Sequence, residues 1–247
     1  MTADSYPIWL DMTQGEHTSK QFDAELNEVR ERVLQMGQLV ESQVQNAIDV
    51  LNSFDEELIE NIIATDHRIN AMEVEIGEEC DLIVVRRQPA AGDLRMIMAI
   101  IKIVTDLERI GDEAKNIAYA AKLLPAATRS NMPEHSSIKH EAENALYMLR
   151  QSVDNFAHQD IEAAMRAIRQ EGMSGDSFDH VMRLLVLDMM EKPGAVSVGL
   201  ETAFISKAFE RIFDHAKNIS KHVVYMVRGK DVRHIPLQEI ERKMMEP

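Results

Sequence analysis

The sequence predicts an all-α protein built as two tandem, pseudo-repeated three-helix bundles, and three observations carry that prediction. Apolar side chains recur at helical spacing in six long segments. No segment shows the period-two alternation of a half-buried strand. A thirteen-residue phrase near the end of the third segment, DLERIGDEAKNIA (106–118), returns near the end of the sixth as AFERIFDHAKNIS (208–220), with eight of thirteen positions identical.

Each element follows from local signals. Residues 16–53 place Phe22, Leu26, Val29, Val33, Val40, Val44, Ala47, Ile48 and Leu51 at helical spacing. Residues 55–87 keep that habit until RRQPAAGD, where Pro89 stops the helix and Asp93 is the expected N-cap of the next. The third helix is expected over 94–124 and meets Pro125. The stretch PAATRSNMPEHSS is polar and holds two prolines, which marks 125–134 as a linker. The pattern then restarts as helices over 135–158, 160–191 and 195–228, with EKPGAV separating the last two and Gly229 capping the end. The expected organisation is an irregular segment 1–15, a first bundle 16–124, the linker, a second bundle 135–229 and a tail 230–247.

Charge narrows the function. The chain carries 27 basic and 42 acidic side chains, a net −15, which argues against nucleic acid or an anionic membrane surface as the main ligand. It leaves room for cations and for basic protein partners. A lone cysteine, Cys80, excludes an internal disulfide framework and a cysteine metal site, and fits a reducing compartment. The first twenty residues lack the basic and apolar blocks of a signal peptide. The most apolar run, MIMAIIKIV at 96–104, is far short of the ~20 residues a membrane span needs and contains Lys102. The expected location is the cytoplasm, with membrane contact only through partners.

Glu108, Asp112 and Asn116 stand at i, i+4 and i+8, one stripe of a helix that continues through Leu94, Ile97 and Ile101 upstream and Tyr119 and Leu123 downstream. Acids set into an otherwise apolar stripe are expected to face other helices. Like charges at that spacing repel, and desolvated carboxylates need compensation from arginine, from protonation or from a cation. Hard cations with several oxygen ligands suit such a set. Further oxygens are available from Asp66, Asn70 and Glu73 on the second helix, and the repeat supplies Glu210, Asp214 and Asn218. Three plainer readings stand beside this one. The acids could line a solvated face, Arg109 and Arg211 could pair with them, or Asn116 and Asn218 could hydrogen-bond across a helix interface. His215 and His222, seven apart, are expected on a partly exposed face.

The phrases RRQPAAGDLR (86–95), DLERIGDEAKNIA (106–118) and ERIFDHAKNISKHVVYMVRGKDVRH (210–234) resemble the PhoU family of bacterial phosphate-signalling proteins, and the resemblance runs from about His17 to His234. It implies two three-helix bundles with transition-metal ions (iron, manganese or zinc), or magnesium, at Glu108 and Asp112 and at Glu210 and Asp214. It implies a homodimeric negative regulator of the phosphate-starvation response rather than an enzyme. Its partners would be the ATPase subunit of the high-affinity phosphate ABC transporter and a phosphate-sensing histidine kinase.

The second half departs from the family pattern. Phe213 replaces the glycine found at Gly111, and RQEGMSGDSFDH places Gly172 and Gly175 inside an expected helix. Placing Pro193 over Pro89 sets Gln170, Ser174 and Ser177 opposite Asp66, Asn70 and Glu73, with Asp176 and Asp179 close by. The first site is therefore expected to bind metal more tightly than the second. The rival classes are a carboxylate-site metal enzyme and a metal-free helical interaction protein. Against the enzyme, no histidine follows a glutamate by three residues, as helical di-metal oxidase sites require.

Overall fold

The computed structural model describes residues 20–125, 135–170 and 173–233, together with 235, 239, 240 and 242. The expected N-terminal segment 1–15 and nearly all of the expected linker, 126–134, lie outside the described residues.

Helices α1 (Lys20–Ser53), α2 (Glu56–Arg87) and α3 (Ala91–Leu123) pack on one another as a first unit. A second unit comprises α4 (His135–His158), the pair α5 (Ile161–Ile168) and α6 (Met173–Glu191), and α7 (Val196–Arg228). The described residues are all-α, as the periodicity predicts. The two units share one continuous apolar core, and the most extensive interhelical contact joins α3 to α7 across them. Arg95 lies against Gly229, Asp106 meets His215 and His222, and Glu113 meets Arg211, so α3 and α7 run antiparallel.

Local chemistry sets most of the ends. Asp55 caps α2 by accepting from the backbone N–H of Glu57 at 2.9 Å and of Leu58 at 3.4 Å. Asp160 does the same for α5 through Ala163 N–H at 2.9 Å. Gly229 ends α7 with φ +69°, in the left-handed region, and its N–H bonds Tyr225 O at 2.8 Å.

Two expectations are corrected. Asp93 is not an N-cap: α3 starts at Ala91, Ala90 takes the capping position without a side-chain bond, and Asp93 falls in the first turn, where its charge complements the helix dipole. The segment expected as one helix over 160–191 is two, for α5 ends at Ile168, Arg169 and Gln170 turn away, and α6 begins at Met173. Gly172 stands in sequence between the two helices and Gly175 in the first turn of α6, each about 1 kcal/mol less favourable than alanine inside a helix.

Cys80 is fully buried, and burial, with Asp81 and Glu79 nearby, pushes its thiol up to about 12. It serves as a small apolar core residue. No helix among the described residues is long and apolar enough to cross a membrane.

Candidate functional site

In the first half, the acids of α2 and α3 face each other along one seam. Asp66 is buried on α2, while Glu108 and Asp112 sit at the edge of α3 with side chains 14% and 29% exposed. Burial is the main influence raising the Glu108 pKa, and the negative charges of Asp112, Glu73 and Asp66 raise it further against the opposing Arg109. Those three carboxylates are therefore close enough to Glu108 to disfavour its charge.

The compensating cation is a lysine. Lys115 Nζ donates to Asp66 Oδ2 at 2.8 Å and to Asp112 Oδ1 at 2.6 Å, bridging the two helices. Arg109 is half exposed and only skirts the site, 3.5 Å from Glu108 and 4.0 Å from Asp112. The bridge leaves oxygens over: Asp66 Oδ1 and Asn70 Oδ1 are both buried without a hydrogen-bond partner. The Asn70 amide turns to Asp66 Oδ2 at 3.5 Å, and Glu73 accepts from the Thr105 hydroxyl at 3.0 Å. Asn116 is exposed and donates to Glu113 Oε2 at 3.3 Å.

The second half does not repeat this geometry. Glu210 is held by Lys207 one turn before it. Asp214 has a side chain 51% exposed and accepts from Lys217 Nζ at 3.1 Å, and Asn218 is half-buried. Ser177, the counterpart of Glu73, donates to Glu141 at 3.1 Å, and Ser206 donates to the other oxygen of the same buried carboxylate at 2.7 Å. Gly111 lets α3 approach its neighbours, since a Cβ there would stand 3.1 Å from Gln43 Oε1 and 3.2 Å from Ile69 Cδ1. Phe213 fills the equivalent position with a buried ring. Among the described residues no three His, Cys, Asp or Glu side chains converge in the arrangement of a bound ion. In the first half, Asp66 and Asp112 are drawn to Lys115 instead.

The structure also assembles a polar cluster between the halves that no sequence motif marks. Asp106 accepts from His215 Nδ1 at 2.8 Å through one oxygen and from His222 Nε2 at 3.1 Å through the other. His222 is buried, which corrects the expectation of a partly exposed face, and His215 is largely enclosed. Burial alone would raise the Asp106 pKa, but the two imidazole hydrogen bonds outweigh it and hold the carboxyl below its ordinary value. Glu113, also buried, pairs with Arg211 at 3.0 Å. Arg211 thus serves the other half rather than its own motif. The available signal was position, for Asp106 and Glu113 lie seven apart among the buried Ile103, Leu107, Ile110, Ala114 and Ile117.

Fold and site together define a class: an all-α chain of two similar units, each presenting an acidic Glu-x-x-x-Asp on its last helix. The PhoU domain model matches residues 33–121 and again 138–223. The chain belongs to the PhoU family. It is 40% identical over 230 residues to a phosphate-specific transport system accessory protein PhoU homolog of Burkholderia sp, covering 93% of this chain and 98% of that one. Against the Escherichia coli K12 accessory protein PhoU the identity is 35% over 226 residues, covering 92% and 93%. The crystal structure of PhoU from Pseudomonas aeruginosa superimposes with a TM-score of 0.80 at 39% identity, over 85% of this chain and all of that one. The phosphate transport system regulatory protein PhoU from Streptococcus pneumoniae gives 0.79 at 27%, over 86% and 99%.

Proposed function

We propose that this protein is a regulatory accessory protein of the high-affinity phosphate transport system. It acts in the cytoplasm as a homodimeric helical adaptor between the transporter's ATPase subunit and a phosphate-sensing histidine kinase, and represses the phosphate-starvation response when phosphate is plentiful. The observation that carries the reading is similarity over more than nine tenths of the chain to proteins named for that system. Those relatives are named as accessory proteins, which favours regulation over turnover.

The first half is proposed to hold a divalent metal ion. Asp66, Glu108 and Asp112 are the proposed ligands, with Asn70 beside them. The fit rests on an all-oxygen donor set, the two buried and unpartnered oxygens of Asp66 and Asn70, and a Glu108 carboxyl whose pKa is raised by burial and by the neighbouring acids. The chemistry such an ion supplies is neutralisation of the carboxylates and cross-linking of α2 to α3. The second half fits less well, because Glu210 and Asp214 are each paired with a lysine of their own helix and Ser177 stands where Glu73 does in the first half. A metal-free adaptor is the second reading, favoured by the Lys115 bridge that already joins the helices.

The test of function is a deletion strain carrying a phosphate-starvation reporter. The reporter should be on in phosphate-rich medium and switched off again by the wild-type gene; a reporter that stays off in the deletion strain refutes the reading. The test of the metal is elemental analysis of untagged protein, with metal expected in the wild type and lost in Glu108→Ala/Asp112→Ala. Folded wild-type protein that carries none decides for the metal-free adaptor.

A further inference from the structure

We infer that Lys115 is an internal counter-ion that must leave the seam before a divalent cation can enter, so that one chain-borne charge is exchanged for one from solution. The inference rests on the proposal that Asp66, Glu108 and Asp112 are cation ligands, and it adds what sets their affinity.

The geometry carries it in three steps. Lys115 Nζ lies within hydrogen-bond distance of carboxylate oxygens on both α2 and α3, the place an ion shared by those carboxylates would take. Ammonium and divalent ion cannot both stand there. One positive charge also serves the site incompletely, for Asp66 is 1% exposed, and its Oδ1 is left without a partner next to the equally unpartnered Asn70 Oδ1. A buried carboxylate oxygen with nothing to accept from is costly, and a divalent ion with several oxygen ligands would satisfy what the lysine leaves. Finally, Lys115 has somewhere to go. Its side chain is 23% exposed and its four-carbon stem is flexible, so the charged end can turn to water without moving α3.

The repeated phrase encodes the device as Glu-x-x-x-Asp-x-x-Lys, with the lysine returning as Lys217. There, among the described residues, it bonds Asp214 and no carboxylate from α6 joins it. The exchange therefore belongs to the first half. Its consequence is a protein that stays folded without metal yet yields its seam to an ion of higher charge.

The experiment measures Mn²⁺ binding by loss of the free-ion electron paramagnetic resonance signal, for wild type, Lys115→Met, Lys115→Arg and Asp66→Asn/Asp112→Asn. A charge-assisted hydrogen bond is worth about a factor of ten, so Lys115→Met should bind about ten-fold more tightly or better. Lys115→Arg should bind no more tightly than wild type, and the double variant should not bind. Equal affinity for wild type and Lys115→Met overturns this inference alone. Absence of binding in every protein overturns the cation reading with it. A second readout needs no variant: reductive methylation of wild type, read by peptide mass spectrometry, should label Lys115 faster with saturating Mn²⁺ than in chelator. Unchanged labelling on a protein shown to bind Mn²⁺ refutes the exchange.

Discussion

Replacing Asp106 with alanine should be the most destabilising single change at the junction of the two halves. The carboxylate accepts from His215 Nδ1 at 2.8 Å and His222 Nε2 at 3.1 Å, and the two losses differ in kind. His215 is 23% exposed and can turn its donor to water, which costs about 0.5–1.5 kcal/mol. His222 is enclosed, and its Nδ1 already lacks a partner, so without Asp106 both ring nitrogens are buried and unsatisfied. That costs about 1–3 kcal/mol. Relief from desolvating the carboxylate returns part, which leaves a net loss of about 2–3 kcal/mol at pH 7. Urea unfolding followed by far-ultraviolet circular dichroism measures it, with an unchanged slope as the check that the folded state is intact.

The pH dependence supplies an independent check. The Asp106 pKa is lowered in the folded state, so its stabilisation is fully present above the unfolded value of 3.8 and is lost as the pH falls through the folded value. The gap between wild type and Asp106→Ala should therefore be full at pH 5–7 and shrink below about pH 3.8. A loss under about 0.5 kcal/mol at pH 7, or a gap that does not change with acid, would refute the reasoning.

Three further outcomes follow from other contacts. Burial pushes the Glu141 pKa up, aided by Glu210 and opposed by the Ser206 and Ser177 hydroxyls, so the charged form burdens the fold as pH rises through the folded value. Glu141→Gln should then stabilise by about 1 kcal/mol at pH 7.5 and show no gain at pH 4; a stabilisation independent of pH would point to packing instead. Gly111→Ala should lose about 1–2 kcal/mol despite its better helix propensity, because the new methyl would crowd Gln43, tied to Ile62 O at 3.1 Å, and the fully buried Ile69. Gly77→Ala, on α2 with nothing within 4 Å of the new methyl, should gain about 0.5–1 kcal/mol, and thermal melts of the two variants should move in opposite directions.

Much of the fold was legible because it rests on short-range chemistry. Prolines 89 and 193, the capping Asp55 and Asp160 and the left-handed Gly229 act within a few residues of themselves, and the repeated phrase declared the two units. The break between α5 and α6 was harder to read, because Gly172 lies in a segment whose apolar spacing continues across it. The site was legible in residue type but not in orientation. Helix α3 touches α1, α2 and α7, so apolar residues cover most of its circumference and no single stripe marks the inside. Glu108 and Asp112 accordingly lie at an edge, while Asp106 and Glu113 point inward. Lys115 lies inside the repeated stretch 106–118. Only the approach of Asp66 from α2, which sequence spacing cannot supply, gives it a role.

The antiparallel pairing of α3 with α7 makes this chain directional. A shift of 102 residues carries Glu108 onto Glu210, and the same shift carries Asp106 onto Ala208 and His222 onto Ala120. The contact of Asp106 with His222 is therefore mirrored, on the far side of the crossing, by two buried alanines. Likewise Glu113 with Arg211 corresponds to His215 with Arg109, a reversal that puts the acid on one side only. Two copies of the first half could not rebuild this junction, since each would offer Asp106 an alanine where it now finds an imidazole. Covalent fusion freed the repeat from the self-complementarity that a twofold interface imposes. One half was thereby left to gather carboxylates of two helices about Lys115, while the other carries a buried Phe213 in place of Gly111.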